Sequence, residues 1–150
     1  MSKGNCNIHI LHTDPTFVVV EKPSGFLSVP GRGPDKQDCV VSRVKMCFTN
    51  CIDQPAVHRL DMQTSGLMVL ALTRESHRRL SCQFEQRLVK KRYIALLDSV
   101  VEQPSGEIRL PFRLDPDNRP YQIYDPLQGK IGITRWKKLS VEKGKTRIEF

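Results

Sequence analysis

Residues 57–73 read VHRLDMQTSGLMVLALT, and the order of residue types in this stretch decides the architecture. Ala56 to Leu60 (AVHRL) reads as a short strand, and DMQTSG at 61–66 as a turn. Leu67 to Leu72 is an uninterrupted apolar run of six, the length and composition of a fully buried strand. Thr73 then supplies an N-cap, with Glu75 in the first turn where the helix dipole favours an acid. Leu80, Phe84 and Leu88 form one stripe, so a helix is expected to run to about Leu88.

Upstream, Thr16 to Glu21 (TFVVVE) is a β-branched strand stopped by Lys22-Pro23-Ser24-Gly25. SVPGRGPD must be loop, and Asp38 is placed to cap a short helix running to about Phe48, with Val40, Val44 and Phe48 on one face. Downstream, Lys90 to Leu97 (KKRYIALL) turns to strand character, and two more strands are expected at about 99–103 and 107–112. Arg113 to Gly132, rich in Asp, Pro, Asn and Gly, reads as a long ordered loop. Thr134 to Val141 and Thr146 to Phe150 form a last antiparallel pair around 142–145. Runs of strands with two helices among them predict an α+β fold, a largely antiparallel mixed sheet with flanking helices.

The 150 residues fit one domain of ordinary size. The 24 Lys+Arg against 16 Asp+Glu give a net charge of +8, which favours a polyanionic partner. A membrane span needs about 20 apolar residues, far more than the longest run here, so no membrane contact is expected. The first residues, MSKGNCNIHILHTD, hold no apolar core of signal-peptide length. Five scattered cysteines point to free thiols in an intracellular, cytoplasmic protein. Cys47 and Cys51 are spaced CxxxC without a second pair or a nearby histidine, so no metal is expected, and no phosphate loop or dinucleotide fingerprint occurs.

Two constellations carry possible chemistry. His58, Arg59 and Asp61 sit at a strand end before a turn, a usual place for catalytic groups on a rigid base. An ionised aspartate there can act as nucleophile, base or ligand. The plainer alternative is a turn aspartate bonded to the Thr64 or Ser65 amide. The second constellation is basic: Arg74, Arg78, Arg79, Arg87, Lys90, Lys91 and Arg92 place seven cations within 19 residues, against Glu75 and Glu85. A phosphate backbone suits such a patch, and a solvated helix face with partial Glu–Arg pairing is the alternative. Tyr93 follows directly. It is either a core residue or an aromatic floor for a nucleobase.

The chain resembles the RluA-type pseudouridine synthases, most closely the RluA subgroup. VVVEKPSGFLSVPGRG (18–33), VHRLDMQTSGLMVLALT (57–73), KKRYIALL (90–97) and GKIGITRW (129–136) carry the resemblance. It implies isomerisation of specific uridines in stem-loops of ribosomal RNA or tRNA, with no cofactor. It implies that Asp61 attacks a flipped uridine, that Tyr93 packs against the base, and that Arg59 enters the stem as the base leaves. His58, Arg74, Arg78, Lys90, Lys91 and Arg92 join Arg59 as RNA-binding candidates. A monomer with structured RNA as its partner is expected.

The family also carries a G-R-x-H-Q-[LI]-R run whose arginine pairs with the catalytic aspartate, and no such run occurs here. Gly132 stands where relatives often have alanine. The expected organisation is therefore a lead-in at 1–15 and, at 16–150, the N-terminal portion of a synthase catalytic domain. Its last strand is expected to leave an unfinished sheet edge.

Overall fold

Val18 and Val20 alternate on one face of the first predicted strand, and both are fully buried in the computed structural model, which describes residues 7–119 and 121–150. That strand is β2 (Phe17–Lys22). It pairs antiparallel with β3 (Gly66–Ala71), Phe17 opposite Ala71 and Lys22 opposite Gly66. On its other side lies β1 (His9–Thr13). The lead-in was expected to hold no strand. β1 shows almost no buried side chain, so it joins the sheet through its backbone and leaves no apolar period in the sequence.

Two helices pack in the same unit, which runs to Lys90. α1 spans Val40–Cys47 and buries Val40, Val41 and Val44. Its cap is Cys39, reciprocally bonded with Ser42, rather than Asp38. Asp38 instead grips the Arg43 guanidinium at 2.8 and 2.7 Å. α2 spans Arg74–Glu85 behind the predicted Thr73 cap, and the Ser76 hydroxyl also donates to the Thr16 carbonyl at 2.6 Å, tying helix start to strand start. Leu88 falls outside the helix and is exposed. Arg87 takes a left-handed φ of 58° as the helix closes, with Leu88 N–H donating to the Gln83 carbonyl. Val18, Val20, Val40, Val44, Met68 and Leu70 make a core in which each side chain contributes roughly 1.5–3 kcal/mol of burial.

The predicted strand at 56–60 is only a single bridge, Ala56 to Leu70. The Ala71 amide donates to the Pro55 carbonyl, and the Val69 amide donates to the His58 ring instead of to a backbone carbonyl. A side chain has taken the place of the ladder.

The second unit, Lys91–Phe150, is a five-stranded antiparallel sheet ordered β4-β8-β7-β5-β6. Its strands are β4 (Ile94–Leu97), β5 (Ser105–Leu114), β6 (Gln122–Tyr124), β7 (Lys130–Glu142) and β8 (Lys145–Glu149). The last hairpin closes through Lys143 and Gly144, both at positive φ (52° and 76°), as a type I′ turn requires. Trp136 lies opposite Gly106, where a Cβ would stand 2.8 Å from the indole, so only glycine leaves room for the ring. At Gly132 a Cβ would meet only an ordinary 3.7 Å contact.

Three expectations fail in this unit. Residues 99–103 form no strand. They are a loop pinned by Thr146, whose buried hydroxyl accepts from Val101 N–H at 2.9 Å and donates to the Ser99 carbonyl at 2.7 Å. The loop 113–132 contains β6 and the start of β7. Asp115 and Asp125 each bind backbone amides two and three residues on, and the short β6 lies between these two turns. The last strand does not form an edge, because β8 lies inside the sheet and β4 and β6 flank it.

The α+β class with antiparallel sheets stands as expected. Free thiols are found at Cys39, Cys51 and Cys82, whereas Cys47 is disulfide-bonded. Among the described residues no helix is long and apolar enough to cross a membrane.

Candidate active site

Asp61 lies exposed on the turn between Leu60 and β3, and the backbone beneath it is fixed by the segment that follows β2. Lys22 is fully buried, and its ammonium donates to three carbonyls: Pro23 at 3.0 Å, Phe26 at 2.6 Å and Met62 at 2.9 Å. Gly25 N–H donates to the same Met62 carbonyl at 2.8 Å. Ser24 donates to the Gln63 carbonyl at 2.7 Å. Ser28, 3% exposed, donates to the Leu60 carbonyl at 2.5 Å and accepts from the Leu60 amide at 3.1 Å. Residues 60, 62 and 63 are thus each held by the 22–28 segment, and Thr64 N–H closes the turn onto the Asp61 carbonyl at 3.0 Å. Burial lowers the Lys22 ammonium below the ordinary lysine value, while the Asp61 charge opposes that shift.

Among the described residues, no hydrogen bond or ion pair engages the Asp61 carboxylate. The turn-aspartate alternative required its side chain to accept from Thr64 or Ser65. The Thr64 amide goes to the backbone carbonyl instead. Arg59 is also exposed. His58 is not turned to solvent: besides its bond to Val69 it stacks on Phe84, centroids 4.5 Å apart, and so joins the loop to α2.

The basic segment sorts by partner. Arg79 pairs with Glu75 at 2.5 Å, one turn apart on α2. Arg74, Arg78, Lys90, Lys91 and Arg92 are exposed and enter no ion pair among the described residues. In the second unit Tyr93 is half-buried, exchanges both backbone bonds with Phe150, and stacks on its ring at 6.3 Å. A cleft of about 600 Å³ beside α1, containing the Lys45–Asp53 ion pair, includes none of the predicted site residues. Among the described residues no three His, Cys, Asp or Glu side chains gather as a metal site.

A family model described as RNA pseudouridylate synthase matches residues 16–150. The chain belongs to that family. It is 42% identical over 144 residues to the dual-specificity RNA pseudouridine synthase RluA of Haemophilus influenzae, covering 95% of this chain and 64% of that protein. The RluA of Yersinia pestis is 43% identical over 142 residues, covering 94% and 68%. The RluA of Escherichia coli K12 is 42% identical over 128 residues, covering 85% and 57%. The chain thus spans roughly three fifths of the length of the curated relatives it matches. Human RNA pseudouridylate synthase domain containing 4 shares the fold with a TM-score of 0.71 at 24% identity, covering 94% of this chain and 57% of that one.

Sequence reasoning in this synthase-family chain missed Lys22, Ser24 and Ser28. Lys22-Pro23-Ser24-Gly25 reads as a strand stop, and a chain-order reading gives no sign that its polar groups turn back onto residues 60–63. One signal was present: a lysine in register with the buried valines of β2 must satisfy its charge somewhere.

Proposed function

We propose that residues 16–150 are the aspartate-bearing portion of an RNA pseudouridine synthase catalytic domain, and that the chain isomerises uridines in stem-loops of ribosomal RNA or tRNA. The observation that carries this reading is an exposed, unengaged carboxylate on a turn whose backbone is fixed on both sides, in a chain of that family. In the reaction the N1–C1′ bond of the uridine breaks, a C5–C1′ bond forms, and the C5 proton leaves to solvent while N1 gains one. The atoms rearrange within one nucleoside, so the balance needs no co-reactant.

A stacked base is out of reach, so the uridine must flip out at a cost of a few kcal/mol. Asp61 attacks the extruded nucleotide, Arg59 fills the gap it leaves, and Tyr93 forms a floor for the base. Arg74, Arg78, Lys90, Lys91 and Arg92 hold phosphates and give affinity more than sequence choice. His58 acts on RNA only indirectly, by fixing the loop that carries Arg59. The relatives are named dual-specificity RNA enzymes, which supports more than one RNA as substrate. We place the protein in the cytoplasm as a monomer. Light scattering should give the mass of one chain, and cell fractionation should find it with soluble RNA.

The test is tritium release from stem-loop RNA labelled at uridine C5. The wild-type chain releases tritium. Asp61→Asn releases none and binds the stem-loop within about twofold of wild type. Turnover by the variant would overturn the assignment. A second reading, a catalytically inactive RNA-binding module, draws on the exposed cations Arg74, Arg78, Lys90, Lys91 and Arg92, which enter no ion pair among the described residues. Tight stem-loop binding with no tritium release from the wild type selects that module.

A further inference from the structure

We infer that Ser28 is a positioning residue for the reaction: its single hydroxyl fixes both backbone groups of Leu60 and so sets where Asp61 begins. The inference rests on the reading of Asp61 as the attacking group. Among the groups holding the turn, Ser28 alone acts on the residue directly before Asp61, and it acts on both sides of that residue. It donates to the Leu60 carbonyl at 2.5 Å and accepts from the Leu60 amide at 3.1 Å. The hydroxyl is buried at 3% exposure, and Leu60 itself is 6% exposed, so water cannot substitute for either bond without opening the loop.

Downstream of Asp61 the anchoring is redundant. The Met62 carbonyl has two donors, Lys22 Nζ and Gly25 N–H, and Gln63 adds a third point through Ser24. Upstream, one hydroxyl supplies both bonds. Ser28 is itself fixed, because its carbonyl accepts the Val41 amide of α1 at 3.3 Å and the preceding Leu27 carbonyl accepts the Val40 amide at 2.9 Å. The first turn of α1 is thereby connected through Ser28 to the aspartate. Removing the hydroxyl frees Leu60 while residues 62 and 63 stay held, which tilts the turn about its downstream end. A misplacement of about 1 Å at a reacting group costs on the order of 100-fold in rate.

The experiment compares Ser28→Ala, Ser28→Cys and Asp61→Asn in the full chain. Thr146→Val, which removes a buried hydroxyl bonded to two backbone groups in the second unit, controls for lost stability alone. Tritium release gives kcat and KM, and hydrogen exchange follows the amides of Leu60 to Thr64. Ser28→Ala should lower kcat on the order of 100-fold with KM for the stem-loop within about twofold, and should speed exchange at Leu60 ahead of the rest of the unit. Ser28→Cys, a weaker donor and acceptor, should fall between. Thr146→Val should leave kcat and the Leu60 amide unchanged. If Ser28→Ala keeps wild-type kcat and Leu60 protection while Asp61→Asn is inactive, the positioning role is wrong and the aspartate reading stands. If Asp61→Asn turns over, the underlying reading is wrong whatever Ser28 does. A wild-type chain that never isomerises uridine removes the catalytic role, and Leu60 exchange then decides whether the hydroxyl fixes the turn.

Discussion

Up to Lys90 the apolar side chains close on a core, whereas from Lys91 onward most of them lie along the surface of a sheet. In the first unit Val18, Val20, Val40, Val44, Met68 and Leu70 are all fully buried. In the second, Ile148 is the one strongly apolar residue classed as buried among those described, with Thr146 beside it. Ile108, Leu110, Phe112 and Leu114 follow one another along a single face of β5, and each is more than a third exposed. On β7 the cross-strand partners of Leu110 and Phe112 are Gly132 and Lys130, and across β6 Phe112 meets the Tyr124 ring edge-on at 6.4 Å between centroids. One unit is held by packing. The other is held by backbone ladders, the buried Thr146 hydroxyl, and the half-buried Lys138, whose ammonium donates to the Val101 and Glu102 carbonyls. The proposed attacking group sits in the packed unit, where a turn can be fixed tightly.

The largest expected effect tests this contrast directly. Leu70→Ala should destabilise the chain by about 3 kcal/mol, as buried leucine truncations do. Leu110→Ala, the same change on the open sheet, should cost about 1 kcal/mol or less. Urea unfolding followed by circular dichroism measures both, and equal costs would break the comparison. The next effect sharpens it within the packed unit. Lys22→Met keeps the apolar stem and removes the donor to three carbonyls, so a loss of about 2–3 kcal/mol is expected. The same denaturation series reads it, and a neutral result would show that the remaining bonds from Ser24, Gly25 and Ser28 hold the site turn without the ammonium. A more modest loss than that of Lys22→Met is expected in the sheet. Thr146→Val keeps the shape but leaves Val101 N–H and the Ser99 carbonyl without their partner, for about 1–2 kcal/mol. Exchange at the Val101 amide should rise in that variant, and unchanged protection would mean that water takes the place of the hydroxyl.

What the sequence made legible cuts across that division: β5, β7 and β8 were read in the second unit, and β1 was missed in the first. Strands β2 and β3 and helix α2 were readable, because their burial writes a period or an apolar run into the chain. β1 and β6 were not, because neither carries a buried side chain. The Thr73 cap was found through its residue type. The Cys39 cap was missed because cysteine seldom plays that part and Asp38 stood next to it. The roles proposed for Asp61, Arg59 and Tyr93 come from a motif alone. The groups that hold the Asp61 turn were not legible, since Lys22 and Ser28 reach residues 40 and 32 positions away, a distance no local pattern encodes. His58 was read as an RNA-binding candidate, and no local pattern showed that its ring also replaces a missing ladder bond.

The position of β4 has one more consequence. It is four residues long and flanks the sheet, with Ile94 and Leu96 both exposed. An open apolar edge of this kind is a template for aggregation between molecules. Lys90, Lys91 and Arg92 stand immediately before it, where like charges on two approaching chains repel each other. The cations proposed to grip RNA therefore also act as gatekeepers of solubility, and that protection weakens as added salt screens them.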